Sequence, residues 1–556
     1  MTPDALIAAA VAWRDQDPDA ETRDELDAII TDARADRATA LDELRDRFGS
    51  RLVFGTAGLR GVLGAGPNRM NRVLVGQAAA GLAAFLRARE TMPSIVIGYD
   101  GRKNSAIFAR DTAEIMAGAG VRTMLMPRHL PTPVLAFAVR HLSTSAGVMV
   151  TASHNPASDN GYKVYLGGMD HGAQIVPPSD AAIAADIDLV AQTAVLGDIP
   201  RSTGYLTCDE NLVEAYIAET AEAGAAHAPV SFVYSAMHGV GWETAHRVFV
   251  AAGFGEPGRV DAQLEPDPAF PTVAFPNPEE PGALDLTLAK AKQLAADVAI
   301  VNDPDADRLA VAVPGPEGEW RRLSGNEVGM LLGWRIAERM QNLDVDHGTF
   351  AASIVSSPAL AQVARKFNID YADTLTGFKW ISRVGDLAFG YEEALGYLVD
   401  PEKVRDKDGI SAAVAFLSLV SELKSMGKTV DDHLLEFAER FGAYASGQIS
   451  IRVTELSEIT SVMAALRVAP PRKVGALTVD AVDDFSGGFA GFAPTDMLRI
   501  HLGDSARVIV RPSGTEPKLK IYLDAWSVEG SGAKRQEAAR ATIKALDAGM
   551  RKLVTT

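Results

Sequence analysis

The sequence predicts a multi-domain α/β protein, and three observations lead to that fold class. The chain has 556 residues, and at roughly 100–200 residues per domain this length predicts about three to five domains. Short β-branched runs such as SIVIG (94–98) and VAIV (298–301) alternate with alanine-rich helical stretches, which is typical of βαβ units and mostly parallel sheets. Hydrophobic residues make up 47% of the chain and charged residues 23%, an ordinary mixture for globular domains.

The order of these elements divides the chain into a helical extension and four domains. Residues 18–47 combine Asp, Glu, Arg and Ala with apolar residues at roughly helical spacing, which predicts an amphipathic N-terminal extension over 1–47. Turn-rich segments near 197–204, 314–319 and 442–447 are candidate boundaries. The predicted domains are 48–203, 204–316, 317–442 and 443–556.

Charge and cysteine content exclude several classes of protein. Lys and Arg number 54 against 72 Asp and Glu, a net charge of −18, which argues against a general binder of nucleic acid or anionic membranes. A single cysteine, Cys208, excludes a disulfide framework and any multi-cysteine metal site. No uninterrupted apolar stretch approaches the ~18 residues needed to span a bilayer. The sequence therefore predicts a cytoplasmic protein without nucleic-acid or membrane partners.

Four apolar strands lead directly into loops of polar, potentially reactive residues. In chain order, GVMVT leads into ASHNP, VAIV into NDPDADR, LAFG into YEEALG, and ARVIV into RPSGTEPK. Ligand sites in open α/β sheets lie beyond the carboxyl ends of the strands. Four such loops therefore suggest several domains around one cleft.

The first loop, TASHNP, offers a candidate nucleophile. Ser153 lies at a strand end beside His154, and a neighbouring base can activate a serine. Lys163 could return on the adjoining strand as an acid or base. The nucleophile elbow of α/β-hydrolases is excluded, because the glycines of G-x-S-x-G are missing. For this loop alone, a simple turn closed by Pro156 is the favoured alternative.

The second loop is a candidate metal site. Asp303, Asp305 and Asp307 alternate along an extended segment, so that their side chains project to one side. Three converging carboxylates repel one another unless a cation joins them, and oxygen ligands favour Mg²⁺, Mn²⁺ or Ca²⁺ over zinc. An EF-hand is excluded, because its sixth and twelfth positions lack the required Gly and Glu. A solvated acidic turn is the alternative. The apolar runs 298–301 and 309–313 instead favour a position of the three carboxylates at the edge of a buried sheet.

The third loop, GYEEALG, contains two adjacent glutamates. The carboxylates of Glu392 and Glu393 can accept hydrogen bonds from the hydroxyl groups of a sugar. Taken alone this signal is weak, since two adjacent glutamates usually lie on a wet surface.

The fourth loop, RPSGTEPK, has the composition of a phosphate-binding loop. Arginine offers a bidentate fork, Ser and Thr offer hydroxyls, and Gly lets backbone N–H groups approach an anion. The Walker A pattern is absent, and a plain Pro/Gly turn is an equally good alternative. Six basic residues on strand-end or glycine-bearing loops suggest one local anion site, against the alternative of scattered surface charges: Arg60, Arg102, Arg308, Lys379, Arg511 and Lys518.

Together, TASHNP with the downstream NGYK, DPDADR, GYEEALG and RPSGTEPK, in that order, resemble the α-D-phosphohexomutases, the family of phosphoglucomutases and phosphomannomutases. The resemblance spans roughly residues 50–530. GTAGLRG (55–61) and the DPDADR form of the metal loop look like the branch with phosphopentomutase activity. The resemblance implies four domains around a central cleft: three similar mixed-sheet α/β domains and a C-terminal α+β domain.

The resemblance also implies roles for individual residues. Ser153 would carry a phosphoryl group, with His154 beside it and Lys163 handling protons. Arg60 and Arg308 would be the active-site arginines. The implied ligands of one Mg²⁺ per chain are Ser153, Asp303, Asp305 and Asp307. The implied substrate-binding residues are Lys379, Glu392, Glu393, Arg511, Ser513, Gly514 and Thr515.

One residue departs from the family pattern. Many relatives have Glu-x-Ser in the sugar loop, where the hydroxyl assists sugar recognition, but Ala394 stands at the serine position here. This difference weakens the choice between glucose and mannose and is compatible with a less selective enzyme or a pentose phosphate.

The function expected from the resemblance is that of a phosphosugar mutase. It would interconvert hexose 1-phosphate and hexose 6-phosphate, with glucose as the expected sugar, through a phosphoserine enzyme and a hexose 1,6-bisphosphate intermediate that also serves as activator. Phosphomannomutase and phosphopentomutase activities are the alternatives within the family. A metal-dependent sugar phosphatase and a non-catalytic sugar-phosphate sensor are the alternatives outside it. The expected partner is the phosphosugar substrate, bound by a monomer or homodimer.

Overall fold

The computed structural model describes residues 1–345, 347–453, 455–513 and 518–554. Its internal contacts divide the chain into two units. Unit 1 comprises Met1–Arg322 and Leu395–Glu422, and unit 2 comprises Leu323–Ala394 and Leu423–Thr556. Each unit is therefore built from two separate stretches of chain.

Three helices begin unit 1: α1 (Pro3–Gln16), α2 (Ala20–Arg34) and α3 (Ala38–Phe48). The side chains of Thr2 and Asp19 cap the first two helices by accepting backbone N–H groups. Apolar residues of the three helices form one buried cluster with residues of the following domain, namely Leu6, Trp13, Leu26, Leu44, Val73, Ile115 and Leu196. The extension is thus packed onto the domain that follows it.

The first sheet is mixed, with strand order β1-β5-β4-β2-β3-β7 and β6 beside β5. Its central strand β4 is parallel to β2 and antiparallel to β5. The strands are β1 (Leu59–Val62), β2 (Ser94–Tyr99), β3 (Arg122–Leu125), β4 (Ala146–Val150), β5 (Asp159–Leu166), β6 (Ala173–Gln174) and β7 (Leu206–Thr207). The helices are α4 (Arg72–Arg89), α5 (Ser105–Gly118), α6 (Thr132–His141) and α7 (Ser179–Thr193).

The second sheet is also mixed, with order β12-β11-β10-β8-β9. Strand β10 is parallel to β8 and forms an antiparallel hairpin with β11. The strands are β8 (Phe232–Ser235), β9 (Gly258–Arg259), β10 (Val298–Asn302), β11 (Leu309–Pro314) and β12 (Trp320–Arg322). The helices are α8 (Asn211–Ala221), α9 (Gly241–Ala251) and α10 (Asp285–Leu294).

Unit 2 contains a third sheet and a C-terminal sheet. In the third sheet, β13 is parallel to both β14 and β15, whereas the C-terminal sheet, of order β17-β23-β22-β21-β20, is antiparallel throughout. The helices of this half of the sequence are α11 (Gly325–Asn342), α12 (Ala359–Phe367), α13 (Phe378–Ile381), α14 (Gly409–Ser425), α15 (Val430–Phe441), α16 (Leu456–Val468) and α17 (Gly532–Val554). The strands are β13 (Thr349–Ser353), β14 (Asp370–Thr374), β15 (Leu387–Glu392), β16 (Gly396–Leu398), β17 (Ala443–Arg452), β18 (Lys473–Val474), β19 (Leu477–Thr478), β20 (Ala481–Asp484), β21 (Leu498–Leu502), β22 (Ala506–Pro512) and β23 (Lys518–Ser527).

Residues 395–422 complete unit 1 rather than unit 2. The backbone of Leu309 donates to the carbonyl of Leu395 at 3.0 Å, and the hydroxyls of Ser418 and Ser421 in α14 bond the backbone of residues 225–228. Asp408 precedes helix α14, and its carboxylate accepts the backbone N–H groups of Ile410 and Ser411 in the first turn.

Within the described residues, no single helix combines the length and apolar composition needed to cross a bilayer. The bent pair α14 and α15 meets these two criteria only when both helices are taken together.

Candidate active site

Ser153 lies in a tight turn that begins where β4 ends. Its backbone adopts a left-handed conformation with φ of +51°, a geometry that costs about 1–3 kcal/mol and persists only where the surroundings impose it. Its N–H donates to the hydroxyl of Thr151 at 2.8 Å. Its Oγ donates to Oδ2 of Asp303 at 2.8 Å and lies 3.1 Å from Nδ1 of His154. The turn therefore directs the hydroxyl of Ser153 at the acidic loop.

The acidic loop connects β10 to β11. Asp303, Asp305 and Asp307 are fully buried, and one carboxylate oxygen from each lies within 4.8 Å of the others. The loop is closed by a 2.8 Å hydrogen bond from the Ala306 N–H to the Asp303 carbonyl and a 2.7 Å bond from the Asn302 amide to the Arg308 carbonyl. The three carboxylates converge as the alternating pattern predicts, inside the protein rather than on a solvated turn.

Two lysines and a threonine contact these carboxylates. Lys163 on β5 places Nζ 2.7 Å from Oδ2 of both Asp305 and Asp307. The ammonium of Lys407 lies 2.9 Å from Oδ2 of Asp307, and the hydroxyl of Thr132 donates to Asp305 at 2.6 Å. Strand β5 runs antiparallel to β4, with Lys163 opposite Met149, so the lysine does return on the adjoining strand.

The charges of this cluster shift the pKa values of its members. Burial, and then the charges of Asp305 and Asp307, raise the pKa of Asp303 well above its ordinary value. Burial works in the same direction on Asp307, but the opposing charges of Lys163 and Lys407 prevail and lower its pKa. Burial alone would lower the pKa of Lys163, but Asp305 and Asp307 raise it, so Lys163 is an ammonium at neutral pH.

His154 carries no charge at neutral pH. Burial, together with the positive charges of Arg308 and Arg60, lowers the pKa of His154 well below its ordinary value. Its Nδ1 contacts the hydroxyl of Ser153 as a donor or as an acceptor, according to the tautomer of the ring.

The acidic cluster fits a divalent cation. Oδ1 of Asp305 and Oδ1 of Asp307 are buried and lack a hydrogen-bond partner among the described residues, although buried polar atoms are nearly always paired. The donor set consists of oxygen atoms only, which suits hard cations such as Mg²⁺, Mn²⁺ or Ca²⁺. The residues could thus hold one metal ion.

Replacing one of these carboxylates should weaken metal binding. We expect Asp305→Asn to bind Mn²⁺ at least about tenfold more weakly than the unaltered chain, because it removes one ligand charge. Isothermal titration of metal-stripped protein with Mn²⁺ measures this difference. Glu243→Gln is the matched control, because Glu243 is an exposed carboxylate paired with Arg128 outside the cluster. Equal affinity in the Asp305 variant would exclude the acidic loop as the metal site.

The predicted arginines occupy different positions within unit 1. Nη1 of Arg60 on β1 donates to the amide oxygen of Asn155 at 3.1 Å, and Arg308 follows the acidic loop with Nη1 3.8 Å from a carboxylate oxygen of Glu279. Arg102 does not belong to an anion site, because four of its N–H groups donate to backbone carbonyls of the serine loop. The sequence-based grouping of Arg102 with the phosphate-binding cations is therefore wrong.

In unit 2, the two glutamates of the sugar loop have different surroundings. Glu393 accepts hydrogen bonds from the hydroxyls of Ser353 at 2.9 Å and Ser356 at 3.1 Å, and its own N–H donates to Ser356. These contacts tie Glu393 to the loop that follows β13. Glu392 ends β15 and is half-buried.

The start of the RPSGTEPK loop lies near the sugar loop. The buried hydroxyl of Tyr522 is hydrogen-bonded to Arg511 and close enough to Glu393 and Glu392 for their charges to act on it; burial is the main cause that raises its pKa. Ser513 donates its N–H to the carbonyl of Lys518 at 2.8 Å. Gly514 and Thr515 lie outside the described residues.

Lys379 belongs to the short helix α13, directly after Gly377, whose φ is +111°. Its ammonium lies 5.9 Å from the centre of the Trp380 ring. The structure thus brings Ser153, His154, Lys163, the three aspartates, Arg60 and Arg308 into one region of unit 1, and places Lys379, Glu392, Glu393, Arg511 and Ser513 in unit 2.

Two residues of the unit 1 cluster were missed from the sequence. Thr132 opens α6, and Lys407 lies in the stretch that returns to unit 1. Asp406, beside Lys407, accepts the hydroxyl of Tyr165 at 2.9 Å. Neither Thr132 nor Lys407 directly follows an apolar strand. An apolar strand that leads into a polar loop was the pattern that identified the four candidate loops.

Comparison of the sequence with models of known protein families shows which family the chain belongs to. Models of four consecutive domains of phosphoglucomutase/phosphomannomutase match the chain in order: alpha/beta/alpha domain I over residues 51–193, domain II over 214–316, domain III over 324–441, and the C-terminal domain over 449–541. The chain belongs to the phosphoglucomutase/phosphomannomutase family. The predicted resemblance, the four-domain α/β fold class and the enzyme class, an isomerase of the phosphosugar mutase type, are confirmed.

Individual relatives agree with this membership. A Haemophilus influenzae protein named probable phosphomannomutase is 55% identical over 84% of this chain and 95% of its own length. The phosphopentomutase of Mus musculus is 35% identical over 88% of this chain and 86% of its own length. A phosphoglucomutase/phosphomannomutase family protein from Burkholderia thailandensis has the same fold, with a TM-score of 0.69 at 18% identity, covering 91% of this chain and 97% of the other.

Proposed function

We propose that this family member interconverts hexose 1-phosphate and hexose 6-phosphate through a phosphoryl group carried by Ser153. The observation that carries the proposal is the 2.8 Å contact between the Ser153 hydroxyl and Asp303, in a buried cluster that could hold a metal ion. Glucose and mannose are both supported as the sugar, because the family includes both activities and the relative at 55% identity is named for mannose.

The proposed site would hold Mg²⁺, with Ser153, Asp303, Asp305 and Asp307 as its ligands. A phosphoserine near −2 charge would be strongly repelled by three carboxylates without cations. When bound, Mg²⁺ would offset that repulsion and polarise the transferring phosphoryl group. Lys163 and Lys407 supply two further positive charges at the same carboxylates.

Proton transfer in this proposal belongs to Lys163. As the sugar hydroxyl oxygen bonds to phosphorus, the bond between phosphorus and Ser153 Oγ breaks. The sugar hydroxyl must lose a proton, and the serine oxygen must gain one. Lys163 is an ammonium held by Asp305 and Asp307, so it can donate a proton to the departing serine oxygen. The amine that results takes the proton that the sugar hydroxyl loses, which restores the ammonium, and the reverse step uses the same two transfers in the opposite direction. Neutral His154 and the cationic Arg60 and Arg308 would orient the serine and the phosphoryl oxygens.

The residues of unit 2 are proposed to bind the rest of the substrate. Arg511 and Ser513, with Gly514 and Thr515, would bind the phosphate that does not react, because a guanidinium and hydroxyls suit phosphate oxygens. Lys379, Glu392 and Glu393 would recognise the sugar. The shared proximity of Glu392, Glu393 and Arg511 to Tyr522 supports a common substrate-binding role. A hexose 1,6-bisphosphate would be the intermediate and activator.

Pentose phosphate is a second candidate substrate. The mouse relative named phosphopentomutase is 35% identical over 88% of this chain, and Ala394 removes the serine hydroxyl found in many sugar loops.

The proposal is tested by a coupled assay that compares glucose 1-phosphate, mannose 1-phosphate and ribose 1-phosphate, with and without Mg²⁺ and the corresponding bisphosphate. We expect isomerised sugar phosphate that depends on both additions. Release of inorganic phosphate in place of isomer would identify a phosphatase, and binding without turnover would identify a sugar-phosphate sensor.

A further inference from the structure

One buried arginine, Arg102, binds the backbone of the serine loop. The guanidinium of Arg102 donates from Nη2 to the carbonyls of Ser153 and Asn155, each at 2.6 Å. From Nη1 it donates to the carbonyls of Pro156 at 2.7 Å and Asp159 at 3.1 Å. Four of the five N–H groups of a guanidinium are therefore used by one loop.

Arg102 is itself fixed on two sides. Its Nε lies 3.6 Å from a carboxylate oxygen of Asp100, and both side chains are almost fully buried. The other oxygen of Asp100 accepts the Arg102 backbone N–H at 3.0 Å and the Ser105 hydroxyl at 2.6 Å. The ring of Phe270, in the loop before α10, lies 4.9 Å from the guanidinium carbon. Such a side chain loses little further entropy when it binds the loop.

These contacts stabilise the backbone conformation that orients the hydroxyl of Ser153. Ser153 is a non-glycine residue at positive φ, which only the surrounding structure can maintain. Its carbonyl is one of the four that converge on Arg102, while its hydroxyl points to Asp303. Loss of the converging donors would let the turn relax and move the hydroxyl away from the acidic loop.

We propose that Arg102 is a positioning residue for phosphoryl transfer: its guanidinium holds the four carbonyls of the serine loop, and so sets the place of the Ser153 oxygen without touching the substrate. The inference rests on the proposed function of Ser153. Lysine cannot replace this arginine, since an ammonium has three donors on one atom and cannot match a planar fork spread over four acceptors.

The test is Arg102→Lys in the full chain, measured beside the unaltered protein. We expect kcat to fall by about a hundredfold, the effect of roughly 1 Å of misplacement, with the Kd of glucose 1-phosphate for the dephosphorylated protein within about threefold of wild type. The rate at which glucose 1,6-bisphosphate phosphorylates Ser153, followed by intact mass, should fall in parallel with kcat. A purely structural role would lower the folded fraction without separating kcat from Kd.

Two further variants keep the test decisive. Arg47→Lys is the control, because Arg47 is a buried arginine of the same unit that donates to the carbonyl of Ala65 outside the cluster; its kcat should stay at the wild-type value. If Arg102→Lys does not fold, Asp100→Asn removes the charge behind Arg102 and should lower kcat by about tenfold. Wild-type kcat in a folded Arg102→Lys or Asp100→Asn protein overturns the inference, whereas an inactive wild-type protein overturns the proposed mutase function instead.

Discussion

Ser153→Ala is expected to abolish mutase activity, with kcat below about 10⁻⁴ of the wild-type value, because no other group can carry the phosphoryl between the two substrate orientations. The variant should also fail to gain a phosphoryl group on incubation with glucose 1,6-bisphosphate, which intact mass spectrometry measures directly. Binding of glucose 1-phosphate, measured by calorimetry, should change little, because the proposed sugar and distal phosphate contacts come from other loops.

Ser158→Ala is the matched control for this prediction. Ser158 is an exposed serine of the same loop, hydrogen-bonded to Asp159, and its loss should leave both phosphorylation and turnover unchanged. Phosphorylation of the Ser153→Ala protein at another site with retained turnover would refute the assignment of the carrier serine.

Lys163→Met is expected to lower kcat by about 10²–10⁴-fold, the range for loss of a general acid or base. The change also removes the ammonium that lies 2.7 Å from both Asp305 and Asp307, so Asp307 retains Lys407 as its lysine partner but Asp305 loses the ammonium that pairs with it. Steady-state kinetics at saturating Mg²⁺ and bisphosphate measures the loss, and circular dichroism shows that the protein has folded.

Lys163→Arg separates the two contributions of this lysine. Arginine keeps the positive charge but does not release its proton in proteins. We expect the Arg variant to keep the positive charge beside Asp305 and Asp307 but not to recover kcat. Recovery of kcat by arginine would mean that the charge matters and that proton transfer belongs to another group.

The parts of the site that depend on local geometry could be predicted from the sequence. Asp303, Asp305 and Asp307 alternate at the end of a buried strand, and the period of an extended chain brings their side chains to one side. The turn at Ser153 follows from the same strand-to-loop pattern. Both features depend on a few consecutive residues.

The parts that depend on packing between distant segments could not be predicted. Lys407 reaches Asp307 only because residues 395–422 pack in unit 1. Arg102 stands after a strand like the other candidate cations, and only the positions of the loop carbonyls show that it binds backbone and not an anion. Strand β22, which contains Arg511 near its end, belongs to an antiparallel sheet. The rule for the carboxyl ends of parallel strands, which was applied to all four loops, therefore does not hold for the RPSGTEPK loop.

The return of residues 395–422 to unit 1 has a consequence for synthesis on the ribosome. Asp307 is translated one hundred positions ahead of Lys407, a delay of about 5–20 seconds at ordinary elongation rates. Throughout that interval the nascent first half has its acidic residues but neither the Lys407 ammonium nor α14. A chain cut after residue 322 would lack Lys407 and α14 permanently, so we expect the first half to be less stable alone than within the full chain.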